Sequence, residues 1–312
     1  MYYHVQNLIN PIMDDEPDPS AANALQEGLG GQFGEMRTMM QYFFQSCNFR
    51  GNATAYHDLI HAIGVEEISH VELISKTISR LLDGAPGYFG AKFETPGADG
   101  EATMDTAKEQ MNPHHFIVGA QGAMPVDAAG NPWSGSYVHS NGNLVLDLLD
   151  NLVLESTGRL QKCRIYQMSS NKTLRATVSF LIARDEAHEM AFAKALETLG
   201  VDWGKILPIP KFDSSEYPEV RELIDAGINR QQYHFRLGDS ELAKIFSGTA
   251  PANDGSILMA MKEPETSYPV EFGPERPEEF SPGLDPELQE MVDALADFKQ
   301  KESRKRSNGK KS

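Results

Sequence analysis

The chain has 312 residues and a mass of 34.5 kDa, 40 % hydrophobic and 23 % charged, enough to bury a full core as one large domain or two small ones. No apolar run approaches the ~20 residues of a membrane helix, and the start, Met-Tyr-Tyr-His-Val, has neither the basic residues nor the apolar run of a secretion signal. The formal net charge is −17; since the tail Lys299–Ser312 carries +6, the remainder carries −23, which argues against nucleic-acid binding by the body of the chain.

The first helical segment is expected over Ala21–Phe49, with Ser20 as its N-cap after Pro17-Asp18-Pro19. A second runs over Thr54–Leu82 and stops at Asp83-Gly84-Ala85-Pro86-Gly87. The short reversal between them makes the two antiparallel neighbours. From Gly84 to about Gly135 the chain is rich in Gly and Pro without sustained period, a long connection that a four-helix bundle needs once if it crosses over between its second and third helices. Segments three, Asn141–Met168, and four, Lys172–Leu199, are separated only by Ser169-Ser170-Asn171 and form a second hairpin. Cys47 and Cys163 each fall inside an expected helix and read as buried free thiols in a reducing compartment, so cytoplasm is the default location. After Val201, prolines recur and only short helices are expected, near Glu219–Ala226, Ser240–Phe246 and Pro286–Gln300. The expected organisation is an all-α bundle domain over 1–200, an extended and mostly irregular arm over 201–298, packed on its own bundle or around other subunits, and a basic tail over 299–312.

Five residues with metal-ligating side chains interrupt apolar stripes on these segments: Glu35, then Glu67 and His70, then Glu155, then His188. Glu67 and His70 lie three apart, on one helix face one turn apart. A buried unpaired carboxylate costs several kcal/mol, so three carboxylates and two imidazoles on core-facing stripes suggest one shared solution, a pair of metal ions inside the bundle. The pairing places Glu35 with His70, Glu155 with His188, and Glu67 between. Asn143, Asp147, Asn151 and Glu155 continue as a polar ladder at four-residue spacing, with Lys162 two turns further on the same face. Such a ladder on a leucine-rich helix needs partners. His57 and His61, spaced i, i+4, lack a carboxylate partner and read as ordinary helix histidines, and His114-His115 as loop residues. These ligand types accept either manganese or iron.

The runs PDPSAANALQEGLGGQFGEMRTMMQYFFQSCNFRG, DLIHAIGVEEISHVEL, GNLVLDLLDNLVLES and SFLIARDEAHEMAFAKAL resemble the dimanganese, non-haem catalases in order over about residues 1–200. The resemblance implies a ferritin-like bundle, a homo-oligomer of six chains, two manganese ions per subunit, and hydrogen peroxide as the small-molecule substrate, disproportionated to water and dioxygen. It carries ligand roles to Glu35, Glu67, His70, Glu155 and His188, with Glu67 as the bridge, and an outer role to Tyr42, which hydrogen-bonds a ligand carboxylate. No calcium site is carried over. Two outer positions depart from the common pattern: Leu154 stands where many members have an arginine, and Asp185 where they have a glutamate. Lys162 matches the lysine of a branch without that arginine, so Lys162 and Asp185 become the candidates for proton handling. Two other readings fit the same architecture, a di-iron oxidase or iron-handling protein and a non-enzymatic coat or storage bundle.

Overall fold

A computed structural model describes residues 7–83, 117–206, 214–252, 254–270, 286–295 and 298. Helix α1 spans Pro19–Gly30 and α2 spans Glu35–Ser46, so the first expected segment is two helices and not one. The cap is Asp18, whose carboxylate accepts from the Ala21 N–H at 2.9 Å; Pro19 then takes the first helical position, where its missing N–H costs nothing. The break falls in the glycine-rich run Gly30-Gly31-Gln32-Phe33-Gly34, which has little helix propensity. At Gly30 any Cβ would overlap the backbone of Val126, which crosses there. Gly30→Ala is therefore expected to lower stability by about 1–3 kcal/mol, the usual cost of overpacking, read as a drop in unfolding temperature.

Helix α3 spans Thr54–Leu82, α4 Leu144–Met168 and α5 Lys172–Thr198. Asn143 and Asn171 cap the last two, accepting from the N–H groups of Leu146 and Leu174. Contacts fix the directions. The Asp18 N–H reaches the Leu81 carbonyl while Ser46 meets His61, so the α1–α2 unit runs against α3. Lys162 meets Asp185 and Arg159 meets Glu189, so α4 runs against α5. Thr77 meets Thr177 and Glu66 meets Arg184, so α5 runs against α3. Helices α3 and α4 are consequently parallel, and the chain must travel the length of the bundle between them. That up-down-down-up order is the ferritin-like bundle. The described end of the crossover, from residue 117, lies against α1 and α2: the Gln26 amide donates to the carbonyls of Met124 and Val126, and the Gln45 amide to that of His139. His114-His115 and the basic tail lie outside the described residues.

Buried side chains form two apolar clusters. One gathers Leu25, Leu29, Leu73, Ile74, Ile78, Val178, Leu181 and their neighbours; the other Leu59, Ile60, Ile63, Leu148, Leu152, Phe192 and Leu196. On α3 and α5 the residues between them, 66–70 and 184–188, include buried ionisable groups. The bundle thus holds a charged layer between two apolar plugs.

Beyond α5, α6 (Trp203–Ile206) and α7 (Pro218–Asp225) are short helices; where a short helix is expected near Ser240–Phe246 the chain makes only a single 3-10 turn, Leu242–Lys244. The arm also contains strands that no period announced. β1 (Asn7–Leu8) pairs with β5 (Tyr268–Pro269), while β2 (Gln231–Tyr233), β3 (Gly248–Thr249) and β4 (Ile257–Met261) form a sheet in the order β2-β4-β3, parallel between β2 and β4 and antiparallel between β3 and β4. Residues 286–295 are helical and belong to a separate compact unit beginning at Pro274. Of the two cysteines, Cys163 is buried as expected; Cys47 is exposed, because α2 ends at Ser46 and leaves it in the cap.

Candidate metal centre

Each helix of the bundle brings one part of the charged layer. The break after α1 makes Glu35 the first residue of α2, where a carboxylate faces the positive end of the helix dipole. Thr38 donates to its Oε2 at 3.3 Å. Glu67 and His70 share a face of α3, and Glu155 and His188 come from the facing turns of α4 and α5. All five side chains are buried. Two groups of potential ligand atoms result, Glu35–Glu67–His70 and Glu67–Glu155–His188, each with its atoms within 4.8 Å of one another.

Glu67 belongs to both groups, and it does so with different oxygens. Its Oε2 lies 3.1 Å from Nδ1 of His70 and its Oε1 lies 2.9 Å from Nδ1 of His188. The latter pair is close but makes no hydrogen bond, so Glu67 Oε1 and His188 Nδ1 are buried polar atoms without a partner. The two imidazoles stand 5.7 Å apart, 25° from parallel. Three carboxylates and two imidazoles converging with orphaned acceptor atoms fit two divalent cations: carboxylate and imidazole suit manganese and iron alike, and one carboxylate between the two ions offsets their repulsion.

Around these five, Tyr42 donates to Glu155 Oε1 at 2.5 Å. Burial, with the Glu155 charge beside it, pushes the phenol well above its ordinary range, so it remains a donor. Lys162 reaches both Glu35 Oε1, at 2.8 Å, and Asp185 Oδ2, at 2.6 Å. Burial disfavours its charge, but the two carboxylates outweigh burial and raise it, so the ammonium stays charged. Burial also opposes ionisation of Glu35, and Lys162 reverses that, holding the carboxyl below its usual range. For Asp185, burial wins: with Glu35 and Glu155 adding repulsion, its carboxyl sits well above the ordinary value despite Lys162. The polar ladder of α4 is fully partnered at its buried rungs. Asp147 accepts from the N–H groups of Asn141 and Gly142, and Asn151 bonds Gln41 and Gln45. Asn143 is the exposed cap. Leu154 is buried in apolar surroundings. His57 and His61 stack on each other, their partners being Asp58, Ser46 and Phe43.

Three buried residues near the centre were not singled out from sequence: Glu66, Arg184 and Gln232. Arg184 donates to both oxygens of Glu66, at 2.5 and 3.1 Å, and the Gln232 amide donates to Oε2 at 3.0 Å. A signal existed, since Glu66 and Arg184 each stand four residues before a candidate histidine.

A ferritin-like bundle whose core holds two carboxylate–histidine groups joined by one shared glutamate is the architecture of the dimetal carboxylate proteins. A family profile described as manganese containing catalase matches residues 1–301, and the chain belongs to that family. It is 38 % identical to a manganese catalase of Bacillus subtilis over 278 residues, covering 89 % of this chain and 94 % of the relative. Against a manganese catalase of Lactiplantibacillus plantarum the identity is 34 % over 265 residues, covering 85 % and 92 %. The fold is similar to the crystal structure of KatB, a manganese catalase from Anabaena PCC7120, with a TM-score of 0.53 at 24 % identity, covering 85 % of this chain and 100 % of that one.

Proposed function

We propose that this chain is a catalase that disproportionates two molecules of hydrogen peroxide to two of water and one of dioxygen at a pair of manganese ions, one held by Glu35 and His70, the other by Glu155 and His188, with Glu67 between. The observation that carries the reading is Glu67, buried, with one oxygen facing each histidine. When bound, the two ions supply storage for the two electrons that one peroxide takes and the other gives. What remains for the protein is proton movement, since reduction of one peroxide consumes two protons and oxidation of the other releases two. Asp185 is the group suited to hold one: it is a buried carboxyl beside the centre, 2.6 Å from Lys162, and burial pushes it above an ordinary aspartate in the metal-free chain. Lys162 keeps its own charge and clamps Glu35 and Asp185. Tyr42 orients Glu155. The apolar plugs on either side limit bulk water and strengthen each of these interactions.

Oxygen evolution from peroxide together with metal analysis of native protein tests the reading. Two manganese ions per chain with oxygen release supports it; native iron without oxygen release points to the di-iron alternative, and metal without turnover to a storage or coat bundle. We further read the protein as a cytoplasmic homo-oligomer, a hexamer. The free cysteines support the first, and exposed apolar side chains such as Ile117, Val118 and Met168 the second. No helix among the described residues is long and apolar enough to cross a membrane.

Metal uptake will depend on pH. Burial disfavours charge on both imidazoles, but Glu67 beside His70, and Glu66 and Glu155 beside His188, raise both well above their ordinary range. The metal-free protein therefore gains stability from protonated histidines, fully present below the unfolded value near ~6.5 and lost as pH rises through the folded values. Ligation needs the neutral ring, so uptake releases protons and manganese affinity rises with pH up to the folded values of the two histidines. Calorimetry in buffers of different ionisation enthalpy should register proton release; affinity independent of pH between 6 and 8 would contradict the assignment.

A further inference from the structure

Behind the histidines lies a fourth carboxylate that the proposed ligand set does not use. Glu66 is fully buried, with Oε1 facing Nε2 of His70 at 3.6 Å and Oε2 facing Nε2 of His188 at 3.4 Å. The spacing explains the meeting: Glu66 stands one turn before His70 on α3 and Arg184 one turn before His188 on α5, so the two pairs confront each other where the helices cross. Arg184, also fully buried, grips both oxygens of Glu66 and sends its remaining terminal nitrogen to the carbonyls of Ile228, at 2.5 Å, and Gln231, at 2.8 Å. Its guanidinium lies over the ring of Tyr233 at 4.6 Å, and Gln232 from the same strand donates to Glu66. One carboxylate thus faces the outer nitrogens of both imidazoles, and the arm holds that carboxylate through Arg184.

Bonded through both oxygens to the Arg184 guanidinium, Glu66 makes the bidentate pair of an ionised carboxylate. An ionised carboxylate only accepts hydrogen bonds. Facing Nε2 of both rings, it favours the tautomer with the proton on Nε2, which leaves the lone pair of each Nδ1 directed at Glu67. Only that tautomer leaves each Nδ1 free to give its lone pair to a metal ion, as the dimetal reading requires.

We propose that Glu66 is a positioning residue shared by both halves of the metal centre, orienting His70 and His188 together, and that Arg184 makes this orientation depend on the docked 228–233 segment. The inference rests on the dimetal reading above. It gives the arm a role at the centre without supplying a ligand: loosening 228–233 frees Arg184, then Glu66, then both imidazoles.

The test is manganese binding by Glu66→Gln/Arg184→Met, a double variant that removes the pair without leaving a buried unpaired charge. Manganese content at equilibrium dialysis, the electron paramagnetic resonance spectrum of the manganese(II)-loaded protein, and hydrogen exchange over 228–233 with and without metal are the readouts. In the wild type, exchange over 228–233 should slow on loading. In the double variant, affinity should fall about 10–100-fold, the spectrum should change, and exchange should no longer respond to metal, while helical content is retained. Should the double variant not fold, Glu66→Asp is read the same way; it keeps the charge and the Arg184 pair but withdraws the carboxylate by one methylene. A folded variant with wild-type affinity and an unaltered spectrum overturns the inference alone. A wild type that takes up no manganese overturns the dimetal reading and this inference with it.

Discussion

Glu67→Ala, purified after growth with manganese, is expected to carry fewer than two manganese ions per chain and to evolve no oxygen from peroxide above the blank. The argument is electrostatic. Each potential ion site has one glutamate of its own and one histidine, and Glu67 is the only side chain common to both groups among the described residues. Without it, two divalent cations would face each other across a layer walled by apolar clusters, with two carboxylates left to offset four positive charges. One ion can still bind; the pair cannot. Metal analysis and an oxygen electrode give the answer directly. A variant that keeps two manganese ions and its oxygen evolution would falsify the bridging role.

Lys162→Met and Asp185→Asn are expected to keep both metals and lose about 100-fold in turnover, the scale of a positioned acid or base. The two losses should differ in kind. Lys162 lies 2.8 Å from the buried, ionised Glu35, so removing it leaves that charge uncompensated and should also destabilise the metal-free fold, by about 3–5 kcal/mol. Asp185→Asn deletes a carboxyl that burial already holds well above the ordinary range, so the fold should hardly notice. Its effect should appear instead as a flattening of the limb where the rate falls as pH rises, because the carboxyl that loses its proton there is gone. If both variants turn over like the wild type across pH at full metal content, proton handling lies with solvent and not with these side chains.

Much of the candidate centre was legible before any fold was known. Glu35, Glu67, His70, Glu155 and His188 each interrupt an apolar stripe, and a helical stripe is a local property: side chains three and four apart share a face wherever the helix goes. The same logic foresaw that Asp147 and Asn151 must be partnered, and that Lys162 lies on the Glu155 face, where it reaches the centre through Glu35 and Asp185. The two hairpins followed from short reversals, and the crossover from a long stretch without period.

What stayed hidden depends on contacts between distant segments. The glycines at 30–34 could have been carried inside a helix, and Val126 arriving over Gly30 is what places the break there and Glu35 at the head of α2. Glu66, next in sequence to Glu67, points off that residue's face by about 100°, so the stripe that marks Glu67 does not mark it; α5 and the 228–233 segment, closing over that side, make it buried and give it Arg184. The strands of the arm have two to five residues, too short for alternation to register, and β1 and β5 come from opposite ends of the bundle-bearing unit. By itself the sequence determined which helix faces turn inward and what ligand chemistry they carry, because that follows from the helical period. Only the tertiary structure decided which buried charges meet, since such partners are chosen by what covers each face and not by spacing along the chain.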